Sequence, residues 1–255
     1  MKQFIVRALP TKTYLYARWW DYKISRPKEF AEIQKLRTRE TSEWGSYKPF
    51  DQKKSIFVHI PKCAGVSVNR SLFGNLAGGH TSIDQYINVY EPTKFLNYFK
   101  FTFVRNPWDR VVSAYTFLQK GGMNKWDEKF YEEELKKYKN FKDFVMNWLN
   151  EENIQKHHHF KPQIDFIVDK YQRVSVDYIA YLENMEEDYN YIAKKLNIET
   201  PLEQLNQVSR SDYRSFYDDE SKNVVQEIYK DDIFLLNYEF SGVTQYTRKL
   251  NLKDL

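Results

Sequence analysis

The chain has 255 residues, 42% of them hydrophobic, which is enough to bury the core of one full domain. No apolar run approaches the ~18–20 residues of a membrane span, and residues 1–10 have too short an apolar core and no small-residue cleavage site for a signal peptide. Lys and Arg outnumber Asp and Glu by 39 to 35, a mild and dispersed excess that favours an anionic ligand and argues against a nucleic-acid partner.

Cys63 is the single cysteine, so an internal disulfide and a cysteine metal cluster are excluded. In an anion-binding loop a lone thiol is a possible nucleophile, but it reads better as a small residue filling a threonine-sized space. The compartment these features predict is cytoplasmic.

In chain order, residues 1–50 carry the weakest pattern: a short strand at residues 4–6, a helix opened by Arg26-Pro27 and running through Leu36, and a polar excursion to Lys48. They read as an N-terminal extension packed on a single domain of residues 51–255. From residue 55 the pattern sharpens into strand, loop and helix. The run 55–60 is mostly β-forming, the loop Pro61-Lys-Cys-Ala-Gly-Val-Ser67 follows, and Val66, Val68, Leu72 and Phe73 supply the apolar face of the next helix. Gly74, Gly78 and Gly79 break it.

A second strand at 99–104 enters a helix through Asn106-Pro107, with Val111, Val112, Tyr115 and Leu118 on one face and Gly121-Gly122 at its end. The charged run 127–139 predicts a solvated helix or a lid. Asn140 caps a helix to Leu149, with Phe141, Phe144, Val145 and Trp148 inward. A third strand at 176–182 precedes a helix carrying Tyr189, Ile192, Ala193 and Leu196, and a last helix spans about 219–229. Strands alternating with helices predict an α/β, P-loop-like three-layer fold, a central parallel sheet flanked by helices. No internal repeat and no low-complexity linker interrupts it.

The chemistry concentrates in two loops. A strand that feeds a tight loop with a lysine, a glycine and a serine, and then a helix, delivers backbone N–H groups and a point charge to an anion. The second strand ends in Arg105, whose forked guanidinium donates two bonds to one phosphate. The order in the first loop is the reverse of the ATP-type G-x-x-x-x-G-K-[ST], because Lys62 precedes Gly65, and no acidic strand end offers a magnesium ligand. A nucleotide-dependent kinase is therefore the weaker alternative.

These residues resemble the sulfotransferases that use 3′-phosphoadenosine 5′-phosphosulfate (PAPS), in particular the carbohydrate branch. His59-Ile-Pro-Lys-Cys-Ala-Gly-Val-Ser67 resembles that family's 5′-phosphosulfate loop, and Phe103-Val-Arg-Asn-Pro-Trp-Asp-Arg-Val-Val-Ser-Ala-Tyr115 its 3′-phosphate motif, with eight residues from arginine to serine. His159-Phe-Lys-Pro-Gln163, Leu182-Glu-Asn184 and the segment 229–238 are similar to further recurring elements, so the likeness covers about 53–240. Cys63, Ala64 and Val66 depart from it, standing where the usual pattern has Thr, Gly and Thr and removing two hydroxyl donors. A non-catalytic module that binds PAPS or its desulfated product PAP is the alternative this departure leaves.

The resemblance implies roles. Lys62, the backbone of Cys63, Ala64, Gly65 and Val66, and Ser67 would hold the 5′-phosphosulfate, and Arg105 and Ser113 the 3′-phosphate. Lys62 would also stabilise charge on the leaving oxygen. His80, between the two motifs, is the candidate general base, since an imidazole titrates near neutrality. Arg210 and Arg214 are candidates to close over the cofactor or to hold an acidic sugar, with Arg214 assigned to the cofactor and Arg210 to the substrate. His159 is a candidate lining residue for a saccharide or glycan acceptor. His157-His158-His159 reads against a metal site, because consecutive residues on a helix point in different directions, and no metal is expected.

Overall fold

A computed structural model of the chain describes residues 9–40, 45–203 and 212–252. Two helices come first, α1 (Thr11–Ser25) and α2 (Pro27–Leu36), followed by the short α3 (Lys48–Lys53) and strand β1 (Ser55–Val58). Helices α4 (Gly65–Phe73), α5 (Ile83–Val89) and α6 (Pro92–Asn97) lead to β2 (Phe99–Val104). Then come α7 (Pro107–Gln119), α8 (Lys125–Phe130), α9 (Phe141–Asn147) and α10 (Ile164–Ile167), before β3 (Tyr178–Tyr181). Helices α11 (Met185–Lys195), α12 (Asp219–Ile228) and α13 (Lys230–Leu235) and a small antiparallel pair, β4 (Tyr238–Glu239) and β5 (Gly242–Val243), complete it.

The three longer strands form a parallel sheet in the order β1-β2-β3, with Ser55 opposite Phe99 and Phe101 opposite Tyr178. Every residue of β1 is buried, as parallel strands covered on both faces require, and this is why the strand reads as a continuous run without alternation. Phe57 stacks on Phe101 across the β1–β2 pair, with centroids 5.1 Å apart. Lys100 is buried inside β2 because its ammonium caps the carbonyls of Phe95 and Tyr98 and pairs with Asp177 at 2.8 Å. The α/β reading with a parallel sheet among helices holds.

The first hydrophobic core surrounds the sheet and takes in Tyr14 and Leu15 of α1 and Phe50 of α3. A second core joins α7, α9 and α12 through Val112, Leu118, Phe144, Trp148 and Val225. Several elements differ from their sequence outline. Helix α1 has no counterpart in that outline, because its buried Tyr14, Leu15 and Trp19 are scattered among polar residues and give a weak apolar stripe. The 127–139 run is not uniformly solvated: Asp127, Phe130 and Leu135 are buried, and α8 passes into a π-helical turn at Tyr131–Leu135. Histidines 157–159 lie in a turn closed by the N–H of Phe160 on the carbonyl of His157, not in a helix. The strand expected at residues 4–6 lies outside the described residues, as does Arg210. Among the described residues, no helix is long and apolar enough to cross a membrane.

Candidate active site

The loop between β1 and α4 has an unusual backbone. Lys62 and Ala64 both adopt left-handed φ values, 69° and 57°, on either side of Cys63. Such alternation is the backbone pattern that turns successive N–H groups toward an anion, and here it leads straight into the first turn of α4. A left-handed non-glycine residue costs roughly 1–2 kcal/mol, so two of them in three residues mark a conformation that the surroundings enforce. Gly65 follows with no room for a side chain: a Cβ there would fall 1.8 Å from the His59 ring.

Lys62 aims its ammonium at α7, 3.6 Å from the ring centre of Phe117. Burial, with the Arg105 guanidinium as the next cause, pushes its pKa down to about 7. Cys63 is buried and contacts the Gln163 side-chain oxygen at 3.4 Å. Burial lifts its thiol to about 12, so it is a neutral packing group rather than a thiolate nucleophile.

The second motif meets the first directly. Arg105, at the end of β2 and 8% exposed, donates from Nη1 to the backbone carbonyl of Lys62 at 3.0 Å. Its other edge grips Asp109, with Nε at 2.7 Å and Nη2 at 2.6 Å. Ser113 follows Asp109 by one turn of α7, on the same face, and is buried. Asn106 caps α7 by accepting from the N–H groups of Trp108 and Asp109. The backbone N–H of Asn106 in turn donates to the Glu183 carboxylate at 2.7 Å.

Three positioning residues have no assigned role in the sequence reading. Gln163, fully buried, accepts from the N–H of Arg105 at 2.9 Å and donates to its carbonyl at 2.8 Å. Asp232 holds Gln163 by accepting from the N–H groups of Gln163 and Ile164. Arg110, 1% exposed, donates to the carbonyls of Pro61 and Lys161 and so ties the loop to α7. Each of the three falls within a segment that carries the family likeness; what the sequence lacks is any sign that it is buried.

His80 arrives through the turn Gly78-Gly79, where both residues have positive φ and a Cβ at Gly78 would strike the Tyr86 hydroxyl. Its Nδ1 lies 3.0 Å from the His59 carbonyl, an acceptor only, so Nδ1 carries the proton and Nε2 keeps a free lone pair. Burial lowers its pKa to about 4, which keeps the ring neutral at physiological pH. All five histidines of the chain gather here. The His80 ring centre lies 4.4 Å from that of His59, 4.6 Å from His158 and 6.1 Å from His159. Trp126 of α8 stacks on His157 at 4.0 Å and on His158 at 5.0 Å.

The structure thus sets Arg105 against Lys62 of the loop that also carries Cys63, Ala64 and Gly65, with Val66 and Ser67 on the first turn of α4 and His80 and His159 in the histidine group. Arg214 stands apart from that set. It is half-exposed on a turn against α7 and is held by Asp212, with Nε at 2.7 Å.

An anion with phosphate-like groups fits what is present: a loop with the anion-binding backbone pattern, a half-neutralised lysine and a buried arginine with one carboxylate partner. A groove of about 520 Å³ lined by Arg70, Gly74, Asn197 and Thr200 sits at the opposite end of α4 and shares none of these groups.

Residues 47–239 match the model of the sulfotransferase family. An uncharacterized protein of Archaeoglobus fulgidus is 32% identical over 123 residues, 47% of this chain and 86% of that protein. No solved structure matches the chain significantly.

Proposed function

This chain belongs to the sulfotransferase family, whose membership implies a PAPS-dependent transferase, and we propose that it moves the sulfuryl group to a hydroxyl of a saccharide with His80 as the general base. The observation that carries this reading is the contact of Arg105 with the Lys62 carbonyl, which sets the two anion-binding motifs side by side. Bound there, PAPS supplies the sulfuryl group and a phosphate leaving group.

The chain's own residues divide the remaining work. The N–H groups of residues 63–66 and the Ser67 hydroxyl hold the 5′ end, while Arg105 and Ser113 hold the 3′-phosphate. Lys62 offers its ammonium where negative charge grows on the leaving oxygen; preorganised charge of this kind is often the largest catalytic contribution. His80 accepts the acceptor hydroxyl's proton at Nε2, with its tautomer fixed by the His59 carbonyl. Arg214, the candidate cofactor residue on the α7-facing turn, must exchange its Asp212 contact to reach a ligand. A polar, aromatic rim with Trp126 exposed beside His158 suits a sugar ring.

Calorimetric titration with PAP, with AMP and magnesium–ATP as controls, tests the cofactor assignment. Binding of PAP far tighter than of AMP, and lost in Arg105→Ala, is the expected result; equal affinities or a preference for magnesium–ATP overturn it. Transfer of labelled sulfate from PAPS to a panel of saccharides, lost in His80→Ala with PAP binding intact, tests the acceptor class and the base.

A further inference from the structure

The histidine group supports more than proton transfer. Ligand nitrogens of His80, His158 and His159 all lie within 4.8 Å of one another, drawn from two distant parts of the chain. The turn at 157–159 removes the helical divergence that argued against a shared ion: the rings of His158 and His159 are 4.3 Å apart. Each ring is held from outside. His80 donates Nδ1–H to the His59 carbonyl, the supporting contact typical of metal-bound histidines. His158 stacks on Trp126, and His159 meets Phe117 edge-on at 4.9 Å. The Nδ1 of His159 is buried with no hydrogen-bond partner, on a residue 5% exposed.

A second set, Asp127, His157 and His159, lies nearby, but its chemistry differs. His157 accepts the N–H of His159 at Nδ1, so the ring proton sits on Nε2, facing the Asp127 carboxylate at 3.3 Å. In that tautomer His157 has no lone pair to give a cation, because Nδ1 is engaged by the His159 N–H and Nε2 carries the proton.

We propose that His80, His158 and His159 form a site for one divalent cation of the zinc class, with the fourth position open to water. Three neutral imidazoles with an open position match the donor set zinc accepts, and bonds of about 2.0–2.1 Å put tetrahedral ligands roughly 3.3 Å apart. The half-buried His158 closes the difference by turning in the plane of its stack on Trp126. The cation takes the Nε2 lone pair of His80, so it excludes that ring from accepting a proton. The competition at His80 rests on the proposed transfer reaction, whereas cation binding does not.

The test uses the untagged full chain and zinc alone, with a chromophoric chelator as competitor, and cobalt as a spectroscopic probe of coordination. One zinc per chain with micromolar or tighter affinity is expected, weakened at least 30-fold in His158→Ala and in His159→Ala, and within threefold of wild type in Asp127→Asn. Circular dichroism checks that each variant folds. Absence of saturable binding, wild-type affinity in folded His158→Ala, or loss confined to Asp127→Asn overturns the site. Zinc should also abolish sulfuryl transfer reversibly, with chelator restoring it. Binding without inhibition overturns the competition at His80, whereas a metal-free protein with no transfer at all counts against the proposed function and leaves the binding result to decide the site.

Discussion

The Arg105 guanidinium reaches the backbone carbonyl of Lys62 at 3.0 Å while gripping Asp109 with its other edge. One side chain therefore fixes the spacing between the end of β2 and the loop after β1. Arg105→Lys keeps the charge but loses the fork that makes both contacts. We expect PAP affinity to fall by 10-fold or more while AMP affinity changes little, as read by calorimetry. Unchanged PAP affinity assigns the 3′-phosphate elsewhere.

Ala64 holds a left-handed backbone that favours glycine, at the N-cap of α4. Ala64→Gly relieves roughly 1–2 kcal/mol of strain and returns part of it through the greater freedom of the unfolded chain. Urea unfolding should show a net gain of about 0.5–1 kcal/mol, with PAP binding retained. A loss of stability would mean that the alanine methyl makes a packing contribution larger than its backbone cost.

Lys62, with a pKa of about 7, is largely uncharged at pH 8 in the ligand-free protein. An anionic ligand favours its charged form, so PAP binding at pH 8 should take up close to one proton, and binding at pH 6 almost none. PAP affinity accordingly declines as pH rises above 7, by up to tenfold per pH unit. The sign for stability is opposite: between the folded pKa and the unfolded value near 10.5 the folded state holds fewer protons, so this group makes the free protein more stable as pH rises. Calorimetry in buffers of different ionisation enthalpy counts the protons, and Lys62→Ala should abolish the uptake.

Gln163 satisfies both backbone groups of Arg105 and is fully buried. Gln163→Leu leaves a buried N–H and a buried carbonyl without these partners, at a cost of about 1–3 kcal/mol each. Thermal unfolding should show a destabilisation of roughly 2 kcal/mol or more, and PAP affinity should fall although Gln163 has no assigned ligand contact. Wild-type PAP affinity in the folded variant removes it from the positioning of Arg105.

Local chemistry made the two anion motifs legible: strand, loop and helix follow one another within a dozen residues, and Asn106-Pro107 marks its own helix start. The supports were not legible, because their partners are remote in sequence. Gln163 reads as one more polar residue until the 58 positions separating it from Arg105 are folded together, and Asp232 reads as an acidic residue in a charged helix until it meets the N–H of Gln163. The histidine run misled for a different reason: its geometry depends on whether residues 157–159 are helix or turn, and the period of the flanking apolar residues does not reach them. Helix α1 escaped because its buried positions are few and interleaved with charged residues, among them Arg18, which turns inward to Asp84.

The gathering of all five histidines around one cleft gives the molecule a native reporter. Imidazole ring resonances here all arise from one place. An isotope label confined to histidine would display the cleft with no background from the rest of the chain. Ligand entry, acceptor choice and ring rotation could each be followed as they happen, with no foreign probe attached.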